Sequence, residues 1–213
     1  MNRLFSQESP IIRFLNAFAD LVAVNLLMIL FSLPVVTLGA AVTAGCRVTR
    51  DIANDTVSKI FPSFWGAFRD NFRQATLFWI AHLAVLLGLS YNFYLFQFLL
   101  DESHYKLALV LLIAALVTAV GIGVYAYMLI SRYENTLAGH LKNATLLFLN
   151  YLPLSVLLAG LNAVPAVLFV FSPRIFLETF VAWACFGFSL IALLDNLMLK
   201  RIFSILENPP KET

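Results

Sequence analysis

The chain has 213 residues, 61% of them hydrophobic and only 12% charged, with a formal net charge of +2 and a mean hydropathy of +0.87. A soluble domain carries about 45–50% apolar and roughly 25% charged residues, so water-soluble enzymes, nucleic-acid-binding domains and disordered chains are excluded. The small net charge also supplies no basic field for nucleic acid.

The expected fold is all-α: a single integral membrane domain over residues 1–213, built as a polytopic helix bundle. A bilayer core about 30 Å thick needs roughly 20 apolar residues as helix. Five runs qualify, at about 14–33, 75–99, 107–130, 152–172 and 176–199. They are far too long for barrel strands, and no alternation is visible.

The first run meets Pro34, which removes a helical donor and clashes with the preceding turn. Residues 35–46 after it are rich in small side chains and too short to span alone. They read as a re-entrant half-helix, a tilted second crossing that makes a helical hairpin, or the continuation of a kinked helix. Arg3, Arg13 and Ala44-Gly45-Cys46 loosely resemble a lipoprotein leader. Such a leader would be too long, and Pro34 interrupts it, so the segment is expected in the mature protein. Cys46 lies beside a basic loop and Cys185 within an apolar run, so no disulfide is expected.

Residues 61–73 carry a readable period. Phe61, Phe64, Trp65, Phe68 and Phe72 fall on one helical face, with Arg69, Asp70 and Arg73 on the polar side. Pro62 suits a first turn. The spacing predicts a short amphipathic helix lying in the headgroup plane. Phe64, Trp65, Phe68, Arg69 and Arg73 are then candidates for binding the membrane surface or a partner. In the second span Ala84 and Gly88, and in the third Ala115, Ala119 and Gly123, recur every four residues, a spacing that lets helices approach closely in lipid. Pro165 should kink the fourth span, with Asn162 satisfying a freed carbonyl. Tyr91, Tyr94, Tyr105 and Tyr151 stand at span ends, as an interfacial belt requires.

Loop charge predicts orientation. The 40–74 loop holds Arg47, Arg50, Lys59, Arg69 and Arg73; the 131–150 loop holds Arg132 and Lys142; the tail holds Lys200, Arg201 and Lys211. The loops near 100–106 and 173–175 hold only Lys106 and Arg174. The basic set, including loop 47–73 and the C-terminus, is therefore expected in the cytoplasm of a bacterial cell, with the chain as a multi-pass plasma-membrane protein. An N-terminus on the same side raises the split from 10 against 4 to 12 against 2, so a cytoplasmic N-terminus fits the rule better.

Ionisable groups within spans mark candidate sites. Arg13, Asn16 and Asp20 share one helical face and predict a polar stripe directed at protein, while Asn25 is rotated away from it. Asn162 and Asp195 are further intramembrane candidates. The weight for Asp20 goes to inter-helix hydrogen bonding ahead of a substrate or proton role, and for Asp195 to an interfacial carboxylate near Lys200. His82 stands alone, without a second ligand at metal spacing. No H-E-x-x-H, G-x-S-x-G or phosphate-binding Gly-Lys loop occurs. No catalytic residues, metal or cofactor are expected, and an enzyme is the weakest of the readings.

Three stretches resemble the YesL-like family of bacterial membrane proteins, whose domain has no established function. They are Arg13-Phe14-Leu15-Asn16 with Asp20-Leu21 and Asn25-Leu26-Leu27; Ser32 to Ala40 (Ser-Leu-Pro-Val-Val-Thr-Leu-Gly-Ala); and Ser63 to Ala75 (Ser-Phe-Trp-Gly-Ala-Phe-Arg-Asp-Asn-Phe-Arg-Gln-Ala). The resemblance covers about residues 1–100. Its members are often encoded beside carbohydrate transporters and their regulators. It implies an accessory role in carbohydrate uptake, with a transporter or membrane sensor as partner besides the bilayer, and carries over no catalytic residue. The rival expectation is a small secondary transporter or channel whose Pro-broken helices build a midplane site.

Overall fold

The computed structural model describes residues 10–57 and 59–207. Arg3 and Lys211, used in the charge count, lie outside the described residues. Those described are helical, with no strand among them. Five helices are long and apolar enough to cross a membrane.

Helix α1 (Pro10–Ser32) ends where the proline at 34 bars helical geometry to Leu33. A 3-10 turn (Val35–Thr37) follows, in which the Thr37 hydroxyl donates to Phe31 O at 2.5 Å and Pro34 O at 2.7 Å. Helix α2 (Leu38–Ala53) then continues seven residues beyond the expected 35–46 half-helix. At 1.5 Å per residue it is about 24 Å long, and it is not among the five spanning helices. It is mostly buried, packed among α1, α3 (Ile60–Leu99), α4 (Glu102–Ile130) and α9 (Phe188–Glu207). Its small side chains permit this: a Cβ added at Gly39 would fall 2.4 Å from Ala75 O and 2.5 Å from Trp79 Cβ. Asp55 closes α2 in the left-handed region at φ 53°, which Asp tolerates better than most residues.

Helix α1 bridges α9 to α3 across α2. Phe18 packs on Phe186, Met28 faces Gly45, and Phe31 packs among Phe64, Trp65 and Phe68.

The expected in-plane helix at 61–73 is not a separate element. It is the first part of α3, one continuous 40-residue helix, about 60 Å long and twice the hydrocarbon thickness. Pro62 sits at its start, where the missing donor costs nothing, and no helix breaker separates residues 73 and 75. Part of its aromatic face meets protein: Phe64 and Phe68 are buried against Phe31, whereas Phe61, Trp65 and Phe72 are exposed.

Residues 131–150, read as a loop, contain helix α5 (Leu137–Asn150). It is capped by Thr136, whose hydroxyl accepts from Gly139 N at 3.1 Å. Pro153 forces the break at Tyr151 before α6 (Leu152–Phe171), which passes Pro165 without interruption. Short helices α7 (Pro173–Glu178) and α8 (Phe180–Ala182) and a π-helical turn (Trp183–Gly187) lead into α9.

Gly123 bears out the expected close approach, since a Cβ there would meet the His82 ring. Gly88 does not: nothing lies within 4 Å of a Cβ built on it, and Ala84 is exposed.

Candidate functional site

Among the described residues, three of the places where polar side chains meet inside the bundle involve Asn25, Asn162 with Asp195, and Asn196. The first is at the π turn. Its extra residue leaves backbone carbonyls without helical donors. Asn25 on α1, fully buried, donates to Trp183 O at 3.0 Å and Ala184 O at 2.8 Å and accepts from Ser189 N at 2.9 Å. The second joins α6 to α9: Asn162 Nδ2 donates to both carboxylate oxygens of buried Asp195, and to Leu158 O at 3.0 Å. Asn162 thus serves Leu158 O and a carboxylate on another helix.

The third gathers cations. Buried Asn196 on α9 donates to Cys46 O at 2.9 Å, Thr49 Oγ1 at 3.1 Å and Ala192 O at 3.0 Å. Its Oδ1 accepts from Arg132 Nη2 at 2.6 Å. The Arg132 guanidinium lies 4.1 Å above the Phe203 ring, a cation–π placement. A cavity of about 160 Å³ opens beside it, lined by Arg50, Arg132, Lys200, Asn54, Ser204 and Glu207 among others. Burial, then the nearby Arg50 charge, lowers the Arg132 pKa from its ordinary value. Glu207 accepts from Tyr133 OH at 2.9 Å, and burial together with this carboxylate pushes Tyr133 up to about 12. A second cavity, about 210 Å³, lies between α2 and α3, with Arg47 3.7 Å from Asp70 at its edge.

The predicted site residues separate into two groups. Asn162 and Asp195 are brought together. Arg13 and Asn16 are exposed, Asp20 is half-buried, and no ion pair joins Arg13 to Asp20 among the described residues. The expected protein-facing stripe is therefore corrected: Asn25, judged to point away, is the buried polar group of α1. Of the predicted surface set, Phe64 and Phe68 are core residues, whereas Trp65, Arg69 and Arg73 are exposed. The structure adds Arg50, Arg132, Asn196 and Lys200. Their sequence signal was the loop charge that put Arg50, Arg132 and Lys200 on one side of the membrane, without bringing them to one cavity.

Little here suits covalent chemistry. Burial, then Asp195, pushes the Cys46 thiol up to about 12, so it is a thiol rather than a nucleophilic thiolate. Among the described residues no three His, Cys, Asp or Glu side chains could hold a metal ion. His82, half-buried beside Phe78, has its Nε2 3.2 Å from Ala119 O.

A family described as "Protein of unknown function, DUF624" is similar over residues 21–93, which takes in the second half of α1, all of α2 and most of α3. No curated protein and no solved structure matches the chain.

Proposed function

We propose that this chain is a non-enzymatic accessory protein of the bacterial cell membrane, acting by contact with a partner at the polar end of its bundle. The observation that carries the reading is the exposed side of α3's first half. Trp65 is 44% exposed and flanked by exposed Arg69 and Arg73, while Phe64 and Phe68 anchor the same turns to Phe31. A rigid helix holding an aromatic and two arginines outward is the composition in which interface hot spots concentrate. Arg50, Arg132 and Lys200, from three separate stretches, line one cavity, which supports one basic end facing the cytoplasm. The resemblance to YesL-like proteins points to a transporter or sensor of carbohydrate uptake as the partner.

The transporter alternative has less support. Of the two chain breaks it needs, the one at Pro34 is bonded from within, Trp79 Nε1 donating to Val35 O at 2.7 Å, and the other is not broken: α6 runs through Pro165, with Asn162 bound to Asp195.

Co-purification tests the proposal. Trp65→Ala with Arg69→Ala should abolish capture of the partner while insertion and folding stay normal. Substrate flux by the purified protein alone in liposomes would overturn the accessory reading. Cysteines placed at 11, 56, 102 and 142 in a Cys185→Ser background should show 56 and 142 labelled from the cytoplasm and 102 from the opposite face. Labelling of all from one side would refute the orientation, and position 11 reports the side of the N-terminus.

A further inference from the structure

We propose that the cavity between the ends of α2, α4 and α9 is a binding site for a phosphoryl oxyanion, held by Arg50, Arg132 and Lys200. The site is separate from the α3 surface and does not depend on the partner reading.

The charge balance is the first argument. Three cations and one carboxylate, Glu207, line the cavity. That carboxylate is engaged by Tyr133. Among the described residues neither Arg132 nor Lys200 forms an ion pair, and Arg50 meets only its neighbour Asp51, at 3.3 Å. Three cations against one carboxylate that is already engaged leave the cavity with a net positive lining, which favours a bound anion.

Preorganisation is the second. The Arg132 guanidinium is fixed on both sides, by Asn196 Oδ1 at Nη2 and by the Phe203 ring beneath its plane. Asn196 is itself immobilised by Cys46 O, Thr49 and Ala192 O. Yet Arg132 Nε is buried and has no partner. A buried donor left unsatisfied is uncommon and unfavourable. Arg132 lines the cavity, and a planar guanidinium matches phosphate geometry better than an ammonium does. Asn54 at the wall is an additional donor.

Size is the third. At about 160 Å³ the cavity falls below the roughly 300–1,000 Å³ of pockets that enclose whole organic ligands. It suits one anionic group with the remainder of its molecule outside. That group is either the headgroup phosphate of an anionic lipid, since basic pockets between membrane helices take such headgroups, or the phosphate of a soluble molecule.

The test uses the full-length protein, purified and delipidated in a neutral detergent. Inorganic phosphate is titrated calorimetrically, and phosphatidylglycerol is added in mixed micelles with binding followed by native mass spectrometry. Lys200→Gln with Arg50→Gln removes two of the cations and spares the Arg132–Asn196 contact that ties α4 to α9. Lys142→Gln removes an exposed cation elsewhere. The expected result is saturable binding of at least one probe, weakened roughly tenfold or more by the double variant and unchanged by Lys142→Gln. Binding of phosphate identifies a soluble source, and binding of phosphatidylglycerol alone identifies a headgroup. Absence of binding by both probes, or equal loss in the double variant and Lys142→Gln, overturns the proposal.

Discussion

Asn162 on α6 presents one amide nitrogen to both carboxylate oxygens of Asp195 on α9, at 3.1 and 2.9 Å. The two residues are 33 positions apart, and each lies within a helix long and apolar enough to span a membrane. Lipid offers neither group a partner, so the contact fixes which faces of α6 and α9 meet. Asp195→Ala should lower stability in detergent by about 0.6–1.7 kcal/mol, the range of hydrogen bonds between membrane helices. Asn162→Ala should cost as much or more, because it leaves Asp195 buried and unpaired. The double variant should cost less than the two singles combined, as read by thermal unfolding monitored by circular dichroism. Strict additivity would show that the pair does not act as a unit.

Asn25 should matter more than Asp20. Asn25 makes two hydrogen bonds to the π turn and one to Ser189 N at the start of α9, whereas Asp20 is half-buried and makes no hydrogen bond among the described residues. Asn25→Ala should cost about 1–3 kcal/mol, the penalty for orphaning buried backbone groups. Asp20→Ala should fall within about 0.5 kcal/mol of wild type. Equal losses in thermal midpoint would contradict this arrangement of α1.

Two glycines in α2 should respond differently to the same substitution. A Cβ at Gly39 meets backbone and a Cβ, Ala75 O and Trp79 Cβ, neither of which can move alone. A Cβ at Gly45 meets the flexible end of Met28, which can change rotamer. Gly39→Ala should therefore cost about 1–3 kcal/mol by overpacking, and Gly45→Ala clearly less. A Gly45→Ala variant at least as unstable as Gly39→Ala would show that the α1–α2 contact, not the α2–α3 contact, is the tight one.

What could be read ahead of the structure follows from which forces act locally. The spans were legible because lipid demands long apolar runs, and α6 coincides with the run at 152–172 to within a residue. Helix α5 was not, because His140, Lys142, Asn143 and Asn150 dilute its apolar face. The period over 61–73 marks a helical face, but periodicity does not tell what covers it: Phe64 and Phe68 are buried against Phe31, while Phe61, Trp65 and Phe72 are exposed. Asn25 was set aside because only its own helix was weighed; its partners lie 158 and 159 positions away. The cation cluster is invisible for the same reason, as Arg50, Arg132 and Lys200 meet only once α2, α4 and α9 are packed.

His140 gives the bundle a pH dependence of definite sign. It sits on α5, buried, with Nε2 unpartnered, and burial lowers its pKa from the ordinary 6.5. The folded protein therefore holds a neutral imidazole where the unfolded chain binds a proton. Above the unfolded value this group costs no stability, and as pH falls below 6.5 the unfolded state gains protons that the folded state refuses. Stability should thus decline on acidification from about pH 7 to 5.5, by at most about 1.4 kcal/mol per pH unit from this group. His140→Leu removes the titration and fills a comparable volume, so its thermal midpoint should fall less over the same window. The comparison of the two slopes isolates His140 from the carboxylates that titrate in both proteins. Parallel slopes for wild type and His140→Leu would mean that His140 titrates alike in the folded and unfolded states, and that α5 does not seal it from water.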